Sequence, residues 1–155
     1  MSVWSSIAIS GLLLSTAVGA SAQEKKIARN ELPPAVAATV DHETKGATIK
    51  DFTTEREHGR TTYEVETVVN GRTRDVEIAQ DGRVNEIEKE VDTASLPAKV
   101  QQALSAKAAG GKITKVESLT KNGRLVAYEA AMVKSGRLSE FQVGPTGGAL
   151  AHEKD

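Results

Sequence analysis

The side chains best suited to chemistry in this chain are three histidines, His42, His58 and His152. His42 sits in Asp41-His42-Glu43, where every residue is a metal-ligand type. Consecutive residues at a helix end point in different directions, however, and do not converge on one ion. His58 falls in a turn and His152 near the C-terminus, and both read as solvated. No Gly-rich phosphate loop, Gly-x-Ser-x-Gly elbow or His-Glu-x-x-His is present, and no serine has a plausible base beside it in sequence. The acidic run Glu86-Ile87-Glu88-Lys89-Glu90 reads as a solvated strand face or strand end, as charge runs usually do. The expectation is no catalytic residue, no metal ligand and no cofactor; a non-enzyme is the stronger reading.

Bulk properties narrow the partners. The chain has 155 residues and a formal net charge of −1, so no basic excess draws it to nucleic acid or an anionic membrane. With zero cysteine there are no disulfides and no thiolate metal sites. Trp4, Phe52, Tyr63, Tyr128 and Phe141 are its only aromatics, too few for a large aromatic binding platform.

The N-terminus has the form of a processing segment. Ile7 to Ala20 carries no charge but is shorter than the roughly 20 residues a spanning helix needs. It ends in Ala20-Ser21-Ala22, a shape that signal peptidase accepts, although no Lys or Arg precedes it. Residues 1–22 are therefore expected to be a signal peptide cleaved after Ala22. That makes the chain periplasmic or secreted, with no membrane insertion after cleavage.

The remainder must supply the elements that hold any site, and it reads as two diverged copies of one unit. Leu32-Pro33-Pro34-Ala35-Val36 returns as Leu96-Pro97-Ala98-Lys99-Val100, and Gly59 as Gly123. After one inserted residue, Tyr63-Glu64 returns as Tyr128-Glu129 and Gly82 as Gly147. The expected organisation is a linker over 23–30, one copy over 31–92 and a second over 93–155. Each copy opens with a helix that tolerates proline in its first turn. Leu32, Val36 and Val40 form one apolar stripe, and Leu96, Val100 and Leu104 the other. Ser95 is the expected N-cap of the second helix, and Gly46 and Gly110-Gly111 end the two helices. Alternating strands follow over 48–56, 61–69, 72–79 and 83–91, then over 112–121, 124–133, 137–144 and 148–152. Asn70-Gly71 and Asn122-Gly123 mark hairpins, because both central residues of the favoured turn take positive φ. The expected fold class is α+β: two tandem repeats, each one helix packed on a four-stranded antiparallel meander.

Alternation assigns the faces. Tyr63, Val65 and Thr67 belong against the helix, and Thr62, Glu64 and Glu66 in water. In the second copy the outward set is largely apolar: Leu125, Ala127, Glu129, Ala131 and Val133, joined by Leu119 and Leu138 from neighbouring strands. Apolar patches of this kind mark interaction sites, so these seven residues are the candidate binding surface. Three uses fit it: contact between the two sheets, a homodimer face, or a surface for another protein.

Leu-Pro-x-x-Val at a helix start, then Tyr63-Glu64-Val65-Glu66, Gly71, Val76-Glu77-Ile78 and Asp81-Gly82, resembles the PepSY and PepSY-like domains. The tandem arrangement is similar to the PepSY-like group compared in fold with β-lactamase inhibitor proteins. The resemblance covers Glu31 to Asp155. It implies an exported binding domain whose partner is an unknown envelope protein, with peptidase inhibition or regulation the suggested role. A small-ligand or divalent-cation sensor domain of the cell envelope is the alternative.

Overall fold

Two helices and eight strands are described between residues 23 and 150 of the computed structural model. The segment expected to be a signal peptide lies outside the described residues, as does His152. Helix α1 (Pro34–Glu43) begins on Pro33 and Pro34, and α2 (Ala98–Ala108) begins on Pro97. Proline suits both starts because the first helical N–H groups have no intrahelical acceptor. Val36 and Val40 on α1, and Val100 and Leu104 on α2, are completely or almost completely buried. Ser95 does not cap α2: it sits in a short 3₁₀ turn, Thr93–Ser95, where its hydroxyl donates to the Asp92 carbonyl. The Asp92 side chain caps that turn instead, accepting from the Ala94 N–H.

The strands are β1 (Gln23–Lys26), β2 (Thr48–Glu57), β3 (Arg60–Val69), β4 (Arg72–Ala79), β5 (Val84–Glu90), β6 (Lys112–Lys121), β7 (Arg124–Lys134) and β8 (Arg137–Val143). Four two-residue turns, His58-Gly59, Asn70-Gly71, Asn122-Gly123 and Ser135-Gly136, have both residues at positive φ. This geometry matches the twist of the strands it joins.

The expected fold of two tandem repeats, each with its own four-stranded meander, is overturned. All eight strands form one antiparallel sheet in the order β1-β2-β3-β4-β5-β6-β7-β8. The join is the β5–β6 ladder, from Glu86 opposite Lys121 to Glu90 opposite Glu117. Two separate meanders would each leave an open row of backbone donors and acceptors along β5 and β6, and pairing removes both edges. Strand membership also differs. Gln23–Lys26, expected as linker, pairs with β2, and of the strand expected over 148–152 the described residues 148–150 are not strand.

Both helices cover the same face of the sheet. Val65, Val76 and Ile78 pack with Leu32, Val36 and Val40; Val116, Tyr128, Ala130 and Val143 pack with Leu96, Val100 and Leu104. Two glycines set how closely the following turns approach the helices. A Cβ on Gly82 would stand 2.8 Å from the Ala35 carbonyl oxygen, and one on Gly147 would collide with the Lys99 carbonyl. Both also have positive φ, so glycine is required twice over. Arg74 on β4 locks the end of α1, donating to the Glu43 carboxylate at 2.7 Å and the Glu43 carbonyl at 3.1 Å. The opposite face of the sheet carries no helix among the described residues.

Candidate functional site: the open sheet face

Side chains alternate along each strand, so cross-strand partners on the open face line up in rows. Asp51 stands opposite Glu66, Glu66 opposite Asp75, and Asp75 opposite Glu88. Four carboxylates therefore stand abreast on β2 to β5. In the adjoining row Glu64, Glu77 and Glu86 are abreast and end on Lys121. On the other side Glu90, Glu117, Glu129 and Gln142 run from β5 to β8. Like charges directly opposite each other destabilise a sheet, so local stability does not account for this arrangement.

Register places fourteen carboxylates on the open face. They are Glu24 on β1; Asp51, Glu55 and Glu57 on β2; Glu64 and Glu66 on β3; and Asp75 and Glu77 on β4. Glu86, Glu88 and Glu90 follow on β5, Glu117 on β6, Glu129 on β7 and Glu140 on β8. The cations there are Lys26, Arg60, Lys112, Lys115, Lys121 and Arg124, leaving a formal excess of eight negative charges. Residues 23–150 hold nineteen acidic and nineteen basic residues in all, so the rest of the molecule carries an equal positive excess. The near-zero net charge thus hides a strongly two-sided molecule, and the electrostatic steering that the sequence total seemed to exclude is available to this face.

Several of the face's cations are already engaged. Lys115 Nζ lies 2.9 Å from Glu117 Oε2, Lys121 Nζ lies 2.8 Å from Glu86 Oε2, and Lys26 pairs with Asp51. Thr73 Oγ1 donates to Glu117 at 3.0 Å, the Thr73 N–H to Glu90 at 3.0 Å, and the Gln142 amide to Glu129 at 2.7 Å. Asp75 is different: its Oδ1 is shut off from water and has no hydrogen-bond partner. Burial, with Glu66 and Glu117 nearby, pushes the Asp75 carboxyl up to about 7. Burial, with Glu129 and Glu117 nearby, pushes Glu88 up to about 9. Burial also raises Glu66, Glu129 and Glu140. Ligand atoms of Glu64, Glu66 and Asp75, and of Asp75, Glu88 and Glu117, lie within 4.8 Å of one another in two triads. At one end of the face an open depression of about 510 Å³ is lined by Glu55, Glu57, His58, Arg60, Thr62, Glu77 and Asn85.

The seven residues expected as a binding surface are divided among three settings. Leu119 (3% exposed) and Ala127 pack beneath Leu150, which folds back from the end of β8. Glu129 is buried with its amide partner, and Ala131 is half-buried. Val133 and Leu138 are exposed and directly opposite each other. Leu125 is exposed too, but a register shift between Leu119 and Thr120 pairs it with Thr120, out of the Leu119–Ala127 row. His42 is exposed beside Glu43. The face that dominates, β2 to β5, is the one whose glutamates read as simply solvated. Its signal was present in Glu64, Glu66, Glu77, Glu86 and Glu88, but only register shows that they abut.

No family model matches the chain, and no curated protein matches it. Solved structures do. A protein described as periplasmic from Bacteroides eggerthii is similar with a TM-score of 0.61 and 16% identity, over 75% of this chain and 84% of that one. A DUF2874 family protein from Bacteroides ovatus is similar with a TM-score of 0.58 and 17% identity, over 77% and 84%. A BLIP-like protein from Bacteroides fragilis is similar with a TM-score of 0.55 and 20% identity, over 77% and 84%. At these identities the likeness is one of fold, and the fold is BLIP-like.

Proposed function

We propose that this chain is a non-catalytic binding module of the bacterial cell envelope, and that its open sheet face docks a basic surface of an envelope protein. The observation that carries this reading is the acidic stretch of the face on β2 to β5, which no helix covers among the described residues and where four carboxylates stand abreast. The location in the envelope draws support from the expected signal segment and from similar structures described as periplasmic. The BLIP-like fold and the PepSY-like motifs favour an inhibitor or regulator of a peptidase as the finer role.

The test is capture from periplasmic extract by the wild type and by a Glu64→Gln/Glu66→Gln/Glu77→Gln variant, at low and high salt. The reading expects a protein retained by the wild type at low salt and lost in the variant. An identical captured set from both would overturn it. A second reading, a divalent-cation sensor, is favoured by the unpartnered Asp75 Oδ1 inside two carboxylate triads, since Ca²⁺ and Mg²⁺ take oxygen ligands. A silent calorimetric titration with Ca²⁺ and with Mg²⁺ would remove it.

A further inference from the structure

The negative excess of the open face has a counterpart on the same molecule. Away from that face the described residues hold thirteen basic residues against five acidic ones. The five acids are already engaged. Glu43 accepts from Arg74 and Asp41 from Arg29, while Glu31, Asp81 and Asp92 accept from the N–H groups of Ala28, Arg83 and Ala94. The cations gather where both helices end. Arg74 is on the helix side, since it reaches Glu43 of α1, and Lys89 stands directly opposite it. Lys134 is on that side too, donating to the Ala109 carbonyl just past α2 at 2.7 Å, and Arg137 stands directly opposite it. Lys45 lies two residues past α1, and Arg72 is two residues from Arg74, on the same face of β4. Lys45, Arg72, Lys89, Lys134 and Arg137 are all exposed. Like charges thus stand abreast on both sides of the sheet, negative on one and positive on the other.

Resting on the docking reading above for the face it uses, we propose that a basic surface this face takes is the helix side of a second copy of the chain. Charge complementarity is the argument, because both surfaces belong to this molecule and opposite potentials steer and orient two partners. Two acidic faces repel, and so do two basic sides, so the contact is face to back rather than symmetric. A contact of this kind is heterologous. Each added copy leaves one acidic face and one basic side unused, so assembly continues into a chain or closes into a ring. Assembly also covers the acidic face, which sets it in competition with any other protein that docks there.

The test is analytical ultracentrifugation of the full chain over a concentration series, at about 0.01 M and about 1 M salt. Charges are felt over about 30 Å at the first and about 3 Å at the second. The expected result is a mass that climbs past two chains at low salt and returns to one chain at high salt. Two variants then separate the surfaces: Glu64→Gln/Glu66→Gln/Glu77→Gln on the face, and Lys45→Gln/Arg72→Gln/Lys89→Gln on the helix side. Each alone should be monomeric, and an equimolar mixture should form pairs and stop there, because each variant brings one working surface. Pairing in the mixture also shows that both variants are folded. A wild type that stays monomeric at low salt and about 1 mM chain overturns the proposal. So does a mass that stops at two chains, or association that survives the high salt. The docking reading is judged apart from this, by capture from extract: a retained protein of different sequence keeps it standing when self-association fails.

Discussion

The open face shows two solutions to the same geometric situation. On β2 to β5 its central row is Asp51, Glu66, Asp75 and Glu88; on β6 and β7 the same row continues as Leu119 and Ala127. The second stretch is closed by Leu150 from the chain's own C-terminal segment. The first is left bare, with one carboxylate oxygen buried and unpaired. Where the row is apolar the molecule completes itself, and where it is acidic it does not. At Leu119 and Ala127, then, the apolar pattern on the strands marks a surface that the chain itself covers.

The contrast can be broken or sharpened experimentally, in decreasing order of effect. Extending the acidic row by Leu119→Asp buries a charge beneath Leu150 beside Glu88, and should cost more than about 3 kcal/mol of unfolding free energy in urea denaturation. Leu119→Ala leaves a cavity instead and should cost about 2–4 kcal/mol by the same measurement. Wild-type stability should fall as pH rises. The folded protein holds protons on Asp75 and Glu88 that the unfolded chain has released. Their stabilisation is full below about pH 4 and lost as pH rises through about 7 for Asp75 and about 9 for Glu88. The loss is on the order of a few kcal/mol, read as a urea midpoint that declines from pH 5 to pH 9. Glu88→Gln should flatten that decline and raise the midpoint at pH 9 by about 1–2 kcal/mol equivalent. Leu138→Ser, at a side chain 51% exposed, should change stability by no more than about 0.5 kcal/mol. A large loss there would mean that Val133 and Leu138 are covered in solution.

Much of the local structure was legible. Proline starts and spacings of four placed the two helices, and Asn-Gly pairs placed hairpins, because a positive φ at both turn residues is a strong local demand. What was not legible depends on partners distant in sequence. Nothing in the alternation of β5 or β6 states that they pair across the helix between them. Strand β1 reads Gln-Glu-Lys-Lys, an edge strand without an apolar face to announce it. Glu66, Asp75 and Glu88 look like three unrelated solvated glutamates and aspartates until register stands them abreast. Leu119 and Ala127 looked exposed because Leu150 lies more than twenty residues on and covers them from outside any regular element.

The strictly sequential strand order has a kinetic meaning. Every strand pairs with its neighbour in the chain, and only the α1 and α2 crossings separate partners by more than a tight turn. Low contact order of this kind favours rapid folding, because little loop entropy is lost before contacts form. The sheet can grow one strand at a time from its first hairpin, each new strand finding its template already in place. Its acidic row begins in that hairpin, where Asp51 meets Glu66, and lengthens with Asp75 and Glu88 as β4 and β5 add, so the repulsion builds up strand by strand with the sheet.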